Sequence, residues 1–257
     1  MAVPSHDRAD LVRLRSALPR EGGGVQAVGI DGDDTLWHSE IHFELTQQRI
    51  RELLAPFVQG AEFDQRLLAT ERANLRLFGY GVKGFALSTI ETAIELTGER
   101  IPARDIRRII DCAKELLDHP VELVEHVDRV TAELCERYPL VLITKGDLFH
   151  QQAKLAASGL GERFAGVEIV AEKDPVDYQR VLGRYGIDPA RFVMVGNSMR
   201  SDVLPAVEVG GRAVYIPYQV TWAFEHAELP EELNHRVVRL DHFGQLPDAL
   251  EALARSS

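Results

Sequence analysis

The chain has 257 residues, 45% of them hydrophobic and 27% charged, a balance that excludes a disordered chain and allows a sizeable core in one large domain or two. Its 29 Lys plus Arg against 40 Asp plus Glu give a net charge of −11, which repels nucleic acid polymers and anionic membrane surfaces; an anionic substrate must meet locally placed positive charge. The two cysteines, Cys112 and Cys135, are too few for a disulfide framework and are expected to be buried small hydrophobes in a reducing cytoplasm.

The opening stretch, residues 1–24, is charged along its length and lacks the apolar centre of a signal peptide. Leu11, Leu14 and Leu18 predict an amphipathic helix over 7–18, and Gly22, Gly23 and Gly24 a flexible joint, so the segment reads as an appendage. No apolar run approaches the ~20 residues of a membrane span. A cytoplasmic protein is expected.

Residues 25–30, VQAVGI, form an apolar run of the kind buried in a parallel sheet. Similar runs recur at 140–144, 167–170 and 192–195, each followed by a loop and a helical pattern, with further strands expected at 213–216 and 237–240. This is the rhythm of βα units: an α/β fold with a parallel sheet and helices on both faces. Between the first two strands, ELTQQRIRELLAPF, FDQRLLATERANLRLF, ALSTIETAIELTG and ARDIRRIIDCAKELL all have helical spacing. The predicted organisation is a core over 25–39 and 119–257, with a separate helical domain over 40–118.

The first strand runs into Gly29-Ile30-Asp31-Gly32-Asp33-Asp34-Thr35. If extended geometry continues past Ile30, Asp31, Asp33 and Thr35 share a face, and two carboxylates enter one pocket at the strand's C-terminal edge, where open α/β sheets bind ligands. At ~4 Å and an effective dielectric of ~20, their repulsion is on the order of 4 kcal/mol and asks for a cation or a shared proton. Asp34 reads as a turn residue. A calcium loop starting at Asp31 fails, because Leu36 stands where glycine is needed and His42 where glutamate is needed. The reading that remains is chemical: one carboxylate attacks, the other moves a proton, and a hard divalent ion neutralises the cluster.

Three further strand ends carry polar groups. Thr144 and Lys145 follow LVLI, offering a hydroxyl and free amides near a helix start. Lys173 precedes Asp174, an expected N-cap, with Pro175 at the first helical position and Asp177 in the first turn. Asn197 and Asp202 lie in GNSMRSD before a short helix that Ser201 is expected to cap; carboxylate and amide oxygens suit magnesium.

Together DGDDT, LVLITKG, Lys173 and VGNSMRSD resemble, in order, the signatures of the haloacid dehalogenase superfamily of phosphohydrolases over about residues 25–217. The resemblance implies a three-layer Rossmann-like core with an inserted helical cap of the C1 type. It also implies Asp31 as nucleophile, Asp33 as acid and then base, and Thr144 and Lys173 as holders of the phosphoryl group. Mg2+ would bind the Asp31 carboxylate, the Asp33 carbonyl and Asp202. Asn197, placed with the metal, departs from the commoner acid. Lys145 is added to the substrate contacts, as are Tyr80 and Lys83 from the glycine-interrupted RLFGYGVKGF, where Gly79, Gly81 and Gly84 are expected to form a loop. His38, Glu40 and His42 read as a solvent-facing hinge. The expected function is a magnesium-dependent phosphatase of a small phosphorylated metabolite acting through an aspartyl-phosphate, with 2-haloacid dehalogenation or non-catalytic binding as alternatives. Halide displacement needs neither Asp33 nor Asp202.

Overall fold

The computed structural model describes residues 24–255, so the helix expected at 7–18 lies outside the described residues. Six strands, β1 (Ala27–Ile30), β2 (Leu140–Lys145), β3 (Phe164–Val170), β4 (Phe192–Gly196), β5 (Arg212–Tyr215) and β6 (Val237–Arg239), make one parallel sheet in the order β3-β2-β1-β4-β5-β6. All five pairings are parallel. Successive strands are laid outward from β1 first one way and then the other, so the order reverses between β1 and β4. That is the switch point where such sheets hold ligands.

Alternation along the strands splits the core in two. On one face Val28, Ile30, Leu142, Val193 and Val195 pack with Val127, Val130 and Leu134 of helix α5 (Val127–Cys135) and with Leu246 and Leu250 of α8 (Leu246–Arg255). On the other, Ala27, Val141, Phe192 and Met194 meet Tyr178, Val181, Leu182 and Tyr185 of α7 (Pro175–Tyr185). Gly29 points into this second layer, where an added Cβ would lie 2.5 Å from the Phe192 ring and 2.9 Å from the Met194 sulfur. Gly29→Ala is therefore expected to destabilise the protein by about 1–3 kcal/mol, read from the midpoint of urea unfolding; an unchanged midpoint would contradict this packing.

The edge strand β3 is longer than the run expected at 167–170. It buries alternate residues, among them Glu168, which accepts from Arg184 Nη1 at 2.9 Å and Tyr185 Oη at 2.7 Å. The part missed is residues 164–166, where Ala165 and Gly166 carry little strand signal.

The described chain falls into two compact units. The sheet unit continues to His38 and takes in Val121–Lys145 and the chain from Lys154; the second unit takes Ser39–Pro120 and Gly146–Ala153. In the second unit α1 (Glu40–Leu54), α2 (Gly60–Phe78), α3 (Val82–Leu96) and α4 (Ala103–Leu117) enclose Ile50, Leu54, Phe63, Leu67, Val82, Phe85 and Ile109. Gly79 and Gly81 turn the chain at φ 70° and 99°. Gly84, expected in that loop, is inside α3, where a Cβ would strike the Gly79 carbonyl oxygen at 2.6 Å. The cysteines differ from expectation. Cys112 is half-buried on α4 and Cys135 is exposed at the end of α5, where the helix turns to solvent. Among the described residues no helix is long and apolar enough to cross a membrane.

Candidate active site

The C-terminal ends of β1, β2 and β4 converge, and each contributes a polar group. Asp31 leaves β1 with its amide donating to the Val195 carbonyl at 2.9 Å. The chain then turns instead of extending: the amides of Thr35 and Leu36 donate to the Gly32 carbonyl at 3.3 and 2.8 Å, and Asp34 takes φ 61°. This corrects the expected strand alternation. Thr35 still reaches the Asp31 pocket, 3.5 Å from Oδ2, but the turn brings it there. Gly32 lies against Trp37 and Thr144: an added Cβ would sit 2.8 Å from the indole and 3.1 Å from the Thr144 hydroxyl. Thr144 itself is buried at the end of β2.

At the pocket floor, Lys173 places its ammonium 2.5 Å from Asp31 Oδ1 and 2.7 Å from Asp202 Oδ1, all three side chains being almost fully buried. Asp174 caps α7 by accepting from the Asp177 amide at 2.8 Å and so fixes the residue before it. Burial pushes the Asp31 carboxyl up, and the Asp202 charge adds to that. Lys173 opposes both, and the group lies at about 8. Burial alone would lower Lys173, but Asp202 and Asp31 outweigh it and hold the ammonium above its ordinary range. Two carboxylates thus share one cation. Lys173→Met would leave the buried Asp202 carboxylate without its cation and is expected to cost about 3–5 kcal/mol of stability at neutral pH without added metal, read by denaturant unfolding; an unchanged midpoint would contradict this buried ion pair.

Asp202 is aimed by an unusual turn. Met199–Val203 forms a single π-turn, with the Asp202 and Val203 amides both donating to the Ser198 carbonyl at 3.0 and 3.1 Å. Ser198, not Ser201, is the cap, its hydroxyl accepting from the Ser201 amide at 2.9 Å. The Ser198 amide donates to Asp202 Oδ2 at 2.9 Å, and Gly196 leaves the room that this carboxylate occupies. Asn197 follows β4. With its amide nitrogen turned inward it donates to the Thr35 hydroxyl at 3.1 Å, Asp31 Oδ2 at 3.2 Å and the Asp33 carbonyl at 3.1 Å.

Asp33 occupies different surroundings. Its Oδ1 accepts from Trp37 Nε1 at 2.6 Å and from the Lys154 ammonium, and the side chain is about one-third exposed. Lys154 is on helix α6 (Leu148–Ser158) and was not among the expected site residues. Lys145 is turned to Glu225 Oε1 at 2.5 Å and the Ser201 hydroxyl at 2.9 Å. Tyr80 and Lys83 belong to the second unit: Tyr80 is half-buried on the turn before α3, and Lys83 donates to Asp147 Oδ2 at 2.8 Å. His38 is engaged by the Tyr218 hydroxyl at 2.6 Å, and the ring of His42 lies 3.8 Å from that of His119; both residues are half-buried.

Residues 25–210 match the haloacid dehalogenase-like hydrolase family. The chain belongs to that family. It is similar to the haloacid dehalogenase-like family hydrolase from Xanthomonas campestris, with 44% identity over 93% of this chain and 96% of that one and a TM-score of 0.83. More distant likenesses show the fold alone. A predicted phosphoglycolate phosphatase from Haemophilus somnus is 18% identical over 88% of this chain and 97% of that one, TM-score 0.58. A 2-haloacid dehalogenase from Pseudomonas syringae is 20% identical over 89% and 99%, TM-score 0.57. Near-equal likeness to both means that the reaction has to be argued from the site. No curated protein matches the chain.

The donor set fits a hard cation. Among the described residues no group of three or more His, Cys, Asp or Glu side chains is arranged around a metal position, so the case rests on the Asp31 and Asp202 carboxylates and the Asp33 backbone oxygen. The contacts of the Asn197 amide show the Asp31 carboxylate and the Asp33 carbonyl within reach of one point. Once Asp31 is ionised, Asp31 and Asp202 together carry one more negative charge than Lys173 offsets. Oxygen donors from carboxylates and backbone suit a hard divalent cation of the magnesium, calcium or manganese class.

Proposed function

We propose that this hydrolase is a magnesium-dependent phosphatase of a small phosphomonoester. The observation that carries the reading is the pair Asp31 and Asp33 in contrasting surroundings. One is buried against an ammonium, and the other is part-exposed beside the Trp37 indole N–H and the Lys154 ammonium. Paired carboxylates in unlike environments are how one site divides nucleophile from acid and base. Displacing halide from a 2-haloacid has no use for the second carboxylate.

In this reading an Asp31 oxygen attacks phosphorus and the ester P–O bond breaks, while Asp33 gives its proton to the departing oxygen. Asp33 then takes a proton from water as that water attacks the same phosphorus, and the bond to Asp31 breaks to release inorganic phosphate. Thr144, at the end of β2, and Lys173, which already touches Asp31, hold the phosphoryl oxygens. Asp31, the Asp33 carbonyl and Asp202 would hold magnesium, with Asn197 beside them. When bound, the ion offsets the charge of phosphoryl group and carboxylates together.

A panel of phosphomonoesters assayed for phosphate release with magnesium and with chelator, beside a 2-haloacid assayed for halide release, tests the proposal. Magnesium-dependent phosphate release with no halide release is the expected result. Halide release without phosphate release would replace the phosphatase reading by dehalogenation.

A further inference from the structure

The loop that carries Asp202 is clamped by a residue far from any of the four motifs. Glu225 lies in a short turn, Ala223–Glu225, beyond β5, and its side chain is 13% exposed. One carboxylate oxygen, Oε1, accepts from Lys145 at 2.5 Å; the other, Oε2, accepts from the Ser198 hydroxyl and from the Ser201 hydroxyl at 2.6 Å. Lys145 also donates to the Ser201 hydroxyl at 2.9 Å, closing a ring of Lys145, Glu225 and Ser201. Burial raises the Glu225 carboxyl, but Lys145 and the two serine hydroxyls outweigh it and leave the group ionised, below the usual glutamate range.

The ring acts on the residues that aim Asp202. Ser198 supplies the cap of the π-turn, the carbonyl at its start and the amide that holds Asp202 Oδ2. Ser201 directly precedes Asp202, and its carbonyl accepts from the Tyr178 hydroxyl at 3.1 Å. A π-turn inserts one residue beyond α-helical spacing and stays in place only when its surroundings hold it. Here Glu225 holds the two hydroxyls three residues apart on one carboxylate oxygen.

We propose that Glu225 is a positioning residue for the cation: it fixes the Ser198–Ser201 segment and thereby holds Asp202 in the orientation that binding requires. Its side-chain partners are Lys145, Ser198 and Ser201 and do not include Asp31, so its contribution acts through Asp202. The ring also explains Lys145, whose ammonium balances Glu225 and is directed to this clamp. The inference rests on the magnesium reading above.

Direct magnesium binding, measured by isothermal titration calorimetry without substrate, separates the two. Wild type, Asp202→Asn, Glu225→Gln and Ser201→Ala are compared, with the melting temperature of each without metal. Glu225→Gln keeps the shape and loses the charge that holds both serines and Lys145. It is expected to weaken magnesium binding about tenfold and to leave kcat at saturating magnesium within about threefold of wild type, with Ser201→Ala shifting affinity in the same direction. Magnesium affinity equal to wild type in a folded Glu225→Gln would overturn the positioning role while leaving the magnesium reading intact. Absence of binding by the wild type would overturn both, and an affinity loss that only tracks the fall in melting temperature across the variants would reduce Glu225 to a structural residue and overturn the proposal.

Discussion

Asp31→Asn is expected to abolish phosphate release, by at least about 10³-fold in kcat, and at the same time to stabilise the metal-free protein at alkaline pH. The first effect follows from removing the attacking oxygen pair. The second follows from the burial of Asp31. Its carboxyl is raised from 3.8 to about 8 in the folded protein, so between those values the folded chain binds a proton that the unfolded chain does not. Stability therefore falls as pH rises through this window and is lowest above about 8. An asparagine carries no such charge. Without metal, the variant should melt about 5 °C or more above wild type at pH 9, and the two should converge near pH 4. Parallel melting curves at all pH values would show that Asp31 does not carry the buried charge.

Asp33→Asn is expected to lower kcat by about 10²–10⁴-fold, with the loss depending on the leaving group. An alkoxide leaves poorly without a proton, whereas a nitrophenolate needs little help, so alkyl phosphates should lose far more than aryl phosphates. Steady-state kinetics across esters of graded leaving-group acidity give this dependence. Equal losses along the series would remove Asp33 from the proton-transfer role. Because Trp37 Nε1 donates to the same carboxylate at 2.6 Å, the variant should also change the intrinsic indole fluorescence, a readout independent of turnover.

Much of the architecture was legible from local pattern. Continuous apolar runs mark β1, β2 and β4 because these strands are buried on both faces, and the helical spacing of residues 40–118 marks the four helices of the second unit. Asp174, Pro175 and Asp177 set the start of α7 as their chemistry dictates. What was not legible depends on contacts between distant residues or on backbone irregularity. Glu225 belongs to a turn with no periodicity, and only folding brings it to Lys145, 80 positions away. Lys154 reads as an ordinary helical lysine until α6 carries it to Asp33. The π-turn leaves no mark in residue spacing, which is why Ser201 reads as the cap that Ser198 provides. Asp31 and Thr35 meet through a turn that alternation along a strand does not describe.

Transfer of the phosphoryl group to Asp31 can be seen by chemical trapping. The wild-type protein is mixed with magnesium and an aryl phosphate, quenched in acid during turnover, reduced with borohydride and digested for peptide mass spectrometry. Borohydride reduces an acyl phosphate to an alcohol and leaves a free carboxylate untouched. Homoserine is expected at position 31, dependent on magnesium and substrate, with Asp33 unmodified. Turnover with no reduction at position 31, or reduction at another carboxylate, would contradict that transfer.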